Sequence, residues 1–272
     1  MEIPEPVRRQ ALHPFRELPL PPGFTKVERE HLLGFLHPLP FAQAVEPRDL
    51  EQDDVEAAVE DARALVRDHG RSLLIWLVGP DYPWLGQRLE ALGLVQEDTP
   101  GFESVENAMA LLEAPAGAVP DDVEVTEVRS FEEYAVSSRL SMEVFEATQA
   151  MRDQMEAELH ERYEEYTTPD NPLVQLIAWR DGRVVGTAAA GLGAAGINLF
   201  GGSVLADARG RGVYRALTQA RWELAVARGT PALTIQAGRM SRPIVERLGF
   251  RFIDAIDVYV DDLSEDEVAS TG

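Results

Sequence analysis

The chain has 272 residues, 45% of them hydrophobic, with 47 acidic against 25 basic side chains for a formal charge of -22. That length holds one large domain or two ordinary ones, and two is the expectation. The acidity argues against a non-specific grip on nucleic acid or anionic lipid, and the absence of cysteine excludes disulfides, thiolate metal sites and a cysteine nucleophile.

The opening MEIPEPVRRQALHPF lacks the apolar run of a signal peptide. No stretch approaches the ~18 apolar residues of a membrane span, so the expectation is a cytoplasmic protein without a membrane partner. Residues 1–45 are rich in Pro and Leu, with PLPPGF and HPLPF marking turns, and read as irregular packing. Over residues 49–69, Leu50, Val55, Ala58, Val59, Ala62, Leu65 and Val66 form one helical stripe with acids opposite, and Gly70 supplies the stop. SLLIWLVG then reads as a buried strand, PWLGQRLEALGL as a helix ending at Gly93, and EAPAGAVPDD (113–122) as a linker.

Beyond the linker, VEVTEVRS is a short strand and residues 131–166 are helical, with Met151, Met155, Leu159 and Tyr163 at fourfold spacing. LVQLIAWRDGRVVGTAAAGL reads as a hairpin turning at Asp181 and Gly182. GLGAAG (191–196) fits the dinucleotide pattern G-x-G-x-x-G, yet β-patterned INLFGGSVL follows it where a helix is required, so it reads as a hairpin loop. The glycines of INLFGGSVL indicate a bulge or a close backbone approach. Trp76, Trp84, Trp179 and Trp222 lie in apolar patterns and read as core, and the five histidines show no paired metal-ligand spacing.

Shifting the chain by 159 positions lays ALVRDHGRSLLIWLVG on ELAVARGTPALTIQAG, so that Gly70 meets Gly229 and Gly79 meets Gly238. QRLEALGLV and IVERLGFRF follow as similar helix endings. The pattern reads as an internal duplication, with residues 1–115 and 122–262 as its halves and 263–272 as an acidic tail.

One stretch carries chemistry. ARGRGVYRAL (208–217) joins a strand to a helix through two arginines and two glycines. A helix N-terminus offers unpaired N–H groups and the positive end of a dipole, glycine lets an anion approach them, and Arg209 and Arg211 add full charge. A pyrophosphate suits such a site; a plain tight turn with solvated arginines fits the residues equally well. In the first half, AQAVEPRDLEQDD precedes the corresponding helix, with no glycine and with acids where a phosphate would sit.

The order of hairpin, glycine-bearing strand, R-G-R-G, helix, strand, helix and L-G-F before a last strand resembles the GNAT superfamily of acyl-CoA-dependent N-acetyltransferases over residues 122–262. Its signature Q/R-x-x-G-x-G/A is met from Arg209 to Val213, and Tyr214 departs from it at the last small position. The resemblance implies an α/β (α+β) protein, a GNAT fold whose mixed, mostly antiparallel sheet is flanked by helices, in two tandem copies with a degenerate first half. It further implies acetyl-CoA as co-substrate, no metal, and direct transfer of an acetyl group to the amine of a small molecule or peptide.

On that resemblance the strands around Ser203–Ala206 and 233–237 splay to admit the thioester arm. Backbone groups of Val204, Leu205 and Ala206 pair with it as an added strand, amides of Arg209, Gly210, Arg211, Gly212, Val213 and Tyr214 hold the pyrophosphate, and Ser241 faces the coenzyme or caps the next helix. Val245 stands where many members carry a tyrosine acid, and INLFGGSV has no carboxylate base. Glu143, Glu146, Tyr163 and Tyr166 are the replacement candidates for proton transfer, with Glu143, Glu146 and Tyr166 preferred. The acidic run DQMEAELHERYEEY reads mainly as a solvated helix face, and as a lure for a cationic amine otherwise. A non-catalytic acyl-CoA-binding or partner-binding module is the rival expectation, and a homodimer is compatible with either.

Overall fold

The structure, a computed structural model, describes residues 2–37, 43–99 and 102–264, so most of the acidic tail and the HPLPF turn lie outside the described residues. In chain order the helices are α1 (Glu5–Leu12), α2 (Pro14–Glu17), α3 (Val55–Asp68), α4 (Leu85–Ala91), α5 (Phe131–Val144), α6 (Gln149–Tyr166), α7 (Val213–Ala227) and α8 (Arg242–Arg247). The strands are β1 (Thr25–Glu28), β2 (Leu32–Leu36), β3 (Gln43–Pro47), β4 (Leu73–Val78), β5 (Val95–Gln96), β6 (Val105–Leu111), β7 (Glu124–Glu127), β8 (Leu173–Arg180), β9 (Arg183–Leu192), β10 (Ile197–Val204), β11 (Leu233–Ala237) and β12 (Arg251–Asp262). Short 3-10 turns, Gln52–Asp54 and Ala206–Ala208, precede α3 and α7.

The chain forms two compact units that interleave in sequence, where a linear division at 115 and 122 was expected. One comprises Met1–Pro22, Met109–Gln236 and Pro243–Phe252; the other comprises Gly23–Ala108, Ala237–Arg242 and the chain from Ile253 onward. Long-range pairings decide this. Gln10 of α1 donates to Thr234 Oγ1 on β11, which ties the N-terminal segment to the later half, and β12 lies antiparallel to β4 from Asp257↔Val78 to Asp262↔Leu73. Neither pairing has a local sequence signal.

In the unit built mainly from the first half, β1, β2 and β3 are successively antiparallel, β3 pairs parallel with β4, and β4 pairs antiparallel with β12. The stripe expected on α3 is buried in full, against Leu32, Val45, Leu74 and Trp76. The Pro-rich first 45 residues are more regular than expected: Pro stands in the first turns of α1 and α2, where its missing N–H is not required, and β1 and β2 follow. Trp76 is the fully buried tryptophan, while Trp84, Trp179 and Trp222 are half-buried.

In the other unit β7, β8, β9 and β10 are successively antiparallel, and β10 pairs parallel with β11. The β8–β9 hairpin turns at Asp181 and Gly182, both with positive φ, as the Asp-Gly signal requires. GLGAAG spans the end of β9 and the turn into β10, as expected of a hairpin loop. Successive β8 residues face opposite ways: Leu176 and Ala178 meet Val213, Ala216 and Leu217 of α7, while Ile177 meets Leu140 of α5. The helical run 131–166 breaks at residues 145–148, where Glu146 adopts φ 52° and Thr148 caps α6 by accepting from the Met151 N–H.

Local punctuation supports the duplication. After α3, α4, α7 and α8, glycines 70, 93, 229 and 249 take positive φ. The N–H one residue later then returns to a carbonyl in the last turn: Arg71 to Val66, Leu94 to Leu89, Thr230 to Ala225 and Phe250 to Val245. Four helices thus end in the same Schellman geometry, in two matched pairs.

Candidate functional site

β10 and β11 part company early. Their parallel register holds for Ile197↔Leu233 and Asn198↔Thr234 only, although β10 runs on to Val204 and β11 past Gln236. The cause lies in β10, whose register with β9 shifts between Phe200 and Ser203, with Gly201 at φ 54°. A bulge there bends the strand away from its neighbour. Both edges beyond the last pair therefore carry backbone groups outside the β10–β11 ladder, in the region where the sequence predicted a splay.

The strand then passes through Leu205 and the 3-10 turn into the RGRG loop. Gly210 (φ 74°) and Gly212 (φ 77°) take the left-handed conformation that side chains resist. Gly212 is the N-cap of α7, and no side chain caps the helix. The two glycines differ in surroundings. A Cβ on Gly210 would meet nothing within 4 Å, whereas one on Gly212 would lie 2.5 Å from Pro120 Cγ in the linker. Gly212 is thus small for the linker, and the open approach to the helix entrance is at Gly210.

Charge around the entrance is positive on balance. Arg209 and Arg211 are exposed; Arg209 Nε donates to the Val204 carbonyl at 3.2 Å. Arg215 donates to the Ala118 carbonyl, holding the linker to the first turn. The one acid of the loop, Asp207, is paired with Arg183 at 2.6 Å, which holds its carboxyl below the usual range. Asp207 also feels Arg211, so it offsets part of the loop's positive charge, while Arg209 and Arg211 both face solvent. Tyr214, the departure from the signature, does not crowd the turn: its ring packs on the bulge, where a Cβ at Gly202 would come 2.8 Å from Cε2.

The remaining expected residues fall into different settings. Leu205 and Val144 pack on one apolar cluster with Val128, Leu140, Ile177 and Val184, which brings the C-terminal end of α5 beside the end of β10. Glu143, in the last turn of α5, and Glu146, just beyond it, are exposed. Arg152 fixes that corner by donating to the carbonyls of Ala147 and Met142. The Tyr166 hydroxyl donates to the Val128 carbonyl and accepts the Gln175 N–H, both at 3.3 Å, so it clamps β8 to the end of β7. Burial pushes its pKa up, which keeps the hydroxyl protonated. The Tyr163 hydroxyl faces the Arg129 carbonyl at 3.5 Å. Ser241 belongs to the other compact unit, where its hydroxyl donates to the Gly238 carbonyl, and Val245 is fully buried.

Arg221 and Glu106 are among the buried charges that sequence reasoning missed. Arg221 of α7 is wholly enclosed. Glu106, in the unit built from the first half, is nearly so; burial together with the negative Glu103 and Asp98 pushes its pKa up to about 7, against the Glu103 N–H that it accepts. Arg221 was legible in principle, as a charge on the 213/217/221/225 stripe of α7. Among the described residues no group of three or more His, Asp or Glu side chains is placed to hold a metal ion, and no helix is long and apolar enough to cross a membrane.

By sequence, no family model and no curated protein matches. By structure the chain is similar to a GCN5-related N-acetyltransferase from Kribbella flavida, with a TM-score of 0.69 and 17% identity over 94% of this chain and 95% of that one. It is similar also to a tandem GNAT protein from the clavulanic acid biosynthesis pathway (TM-score 0.59, 18% identity, 95% and 88%). A GCN5-related N-acetyltransferase-like protein from Streptococcus suis gives a TM-score of 0.53 at 14% identity, over 94% and 98%. Coverage of nearly whole chains matches both halves of the element order, and the fold of this protein is accordingly the GNAT fold, in its tandem form.

Proposed function

We propose that the protein is an N-acetyltransferase that takes its acetyl group from acetyl-CoA and passes it to an amine, with one coenzyme site, in the later half. The single observation that carries the reading is the early parting of β10 and β11 directly upstream of an uncapped helix entrance flanked by Arg209 and Arg211. Acetyl-CoA supplies an activated acyl group on a thioester. The chain's contribution is to bind and orient it.

In this reading the backbone of Val204, Leu205 and Ala206 takes the pantetheine arm as an added strand, a contact that depends little on side chains. Arg209 turns from the Val204 carbonyl toward the pyrophosphate, freeing that carbonyl for the arm. Amides from Gly210 to Tyr214 receive the phosphate oxygens, aided by the helix dipole. The Val204 N–H is the donor for the thioester carbonyl. Glu143 and Glu146, exposed at and just beyond the end of α5, are the proton acceptors of choice; holding two reactants in register supplies much of the acceleration whichever base serves. A compartment with acetyl-CoA, the cytoplasm, follows from the same reading.

The test is acetyl-CoA turnover with an amine panel that includes a polyamine, an aminoglycoside and a basic peptide, read by release of coenzyme thiol. Thiol release that depends on one amine supports transfer. A second reading has a specific observation behind it: the Tyr166 hydroxyl is hydrogen-bonded to backbone groups, and Val245, at the place of the tyrosine acid, lies in the core. Coenzyme binding without turnover favours that non-catalytic acyl-CoA-binding module, and failure to bind coenzyme A removes both.

A further inference from the structure

Arg221 is a fully buried guanidinium on α7 that no step above uses. Nε donates to the Leu217 carbonyl at 3.0 Å and Nη1 to the Ala189 carbonyl at 3.4 Å, while Nη2 is enclosed with no hydrogen-bond partner. Ala189 lies on β9 opposite Phe200, where β10 begins to bulge. Arginine stays charged in proteins, so this is a cation sealed in the interior rather than a neutral group. Burial lowers the guanidinium's pKa, and what offsets that is Tyr214, through its hydroxyl and through its ring, whose centroid lies 5.9 Å from Cζ; no carboxylate contributes. A buried cation without an anion is costly to keep, and such groups concentrate where a ligand supplies the missing charge.

Direction identifies that ligand's place. Side chains on a helix lean toward its N-terminus, and Arg221 reaches back one turn to Leu217 and two turns to the ring of Tyr214. Val213 and Arg221 are separated by about 12 Å of helix axis, and the backward lean brings the guanidinium nearer than that to the entrance. Tyr214 is the second residue of α7, its own N–H belongs to the entrance, and its ring fills the space above Gly202 between guanidinium and bulge. The entrance amides, the dipole and this charge thus act in one direction along one helix, through an interior that screens poorly.

Building on the coenzyme reading above, we propose that Arg221 is a positioning charge: from inside the fold it draws the coenzyme's pyrophosphate to the α7 entrance without touching it. The exposed Arg209 and Arg211 act at contact and are screened by salt; Arg221 acts at a distance and is not.

The test is calorimetric titration of coenzyme A into the full-length protein at low and high salt. Arg221→Gln, which keeps a donor for the Ala189 carbonyl but no charge, weakens binding roughly tenfold, and the deficit persists at high salt. Arg221→Met, which keeps the length and loses the donors as well as the charge, loses about as much as Arg221→Gln. Binding by Arg221→Gln within twofold of wild type overturns the proposal, as does a far larger loss in Arg221→Met than in Arg221→Gln, which would make Arg221 a packing residue. Should neither variant fold, Arg209→Gln with Arg211→Gln decides: both sites are exposed, and the double variant retains a coenzyme affinity that salt does not change. A residual affinity that salt abolishes overturns the proposal. A wild type that binds no coenzyme A sinks the coenzyme reading itself, a result separate from all of these.

Discussion

The two strand-to-helix crossings of this chain are built alike and charged oppositely. Each runs from a strand through a 3-10 turn into a helix of 14 or 15 residues that returns by a Schellman glycine to a parallel strand: β3 to α3 to β4 in one unit, β10 to α7 to β11 in the other. At the α3 entrance the turn is Gln52–Asp54, Asp54 is the N-cap, and Glu51, Asp53 and Glu56 surround it. At the α7 entrance the cap is a left-handed Gly212, Arg209 and Arg211 stand nearby, and the first turn has no acid. The dipole is the same in both, so the side chains decide: at α3 the protein's own carboxylates stand at the favourable end, and at α7 none does. A duplicated scaffold can thus keep its packing while the charge at its helix entrances reverses.

The strongest way to break this contrast is to give α7 the charges of α3. Arg209→Asp with Arg211→Asp should weaken coenzyme A binding by about a hundredfold or more, because two attractions become repulsions at a site that already relies on charge-assisted bonds. Both side chains are exposed and outside the core, so the thermal midpoint should stay near wild type. Calorimetry and a melting curve on one preparation check both halves of the claim; unaltered affinity would move the anion site elsewhere.

Much of this was readable from residues. The α3 stripe, the Asp-Gly hairpin, the glycine-bearing bulge and the R-G-R-G entrance each have a local cause: a period, a turn chemistry, or a backbone conformation only glycine takes easily. What could not be read is non-local. Nothing near β12 announces that it pairs with β4, and nothing near Gln10 announces Thr234, so the units interleave where a linear division was expected. Gly212 looked small for a ligand's sake, and its neighbour is Pro120, 92 positions back. The backbone partners of Tyr166, Val128 and Gln175, likewise come from other elements.

The comparison extends to the interior, where Arg221 in one unit and Glu106 in the other are buried with no oppositely charged group acting on them. Arg221 cannot discharge itself. Glu106 can, and its pKa of about 7 lies well above that of an unfolded glutamate. The folded state therefore holds a proton that the unfolded state releases between about pH 4.5 and 7. Over that window stability falls as pH rises; below it the group contributes no penalty. Glu106→Gln removes the titration while keeping the shape, so it should stabilise the protein by about 2 kcal/mol at pH 8 and by little at pH 4.5. Urea unfolding at the two pH values reads the difference. An equal effect at both would show that the carboxyl is not the titrating group.

The smallest expected effect separates structure from chemistry at Tyr166. Tyr166→Phe deletes a hydroxyl that donates to one backbone carbonyl and accepts from one backbone N–H, while its ring remains stacked on Tyr134 at 5.3 Å. Half-buried groups can recruit water in its place, so the loss should be about 1 kcal/mol of stability. Coenzyme affinity should not change, and turnover with any accepted amine should stay within a few-fold of wild type. A drop of a hundredfold or more in kcat at constant KM, with stability untouched, would place this hydroxyl in proton transfer. It would also mean that the clamp between Val128 and Gln175 opens when substrate is bound, since a hydroxyl cannot serve both carbonyl and leaving thiolate with its one proton.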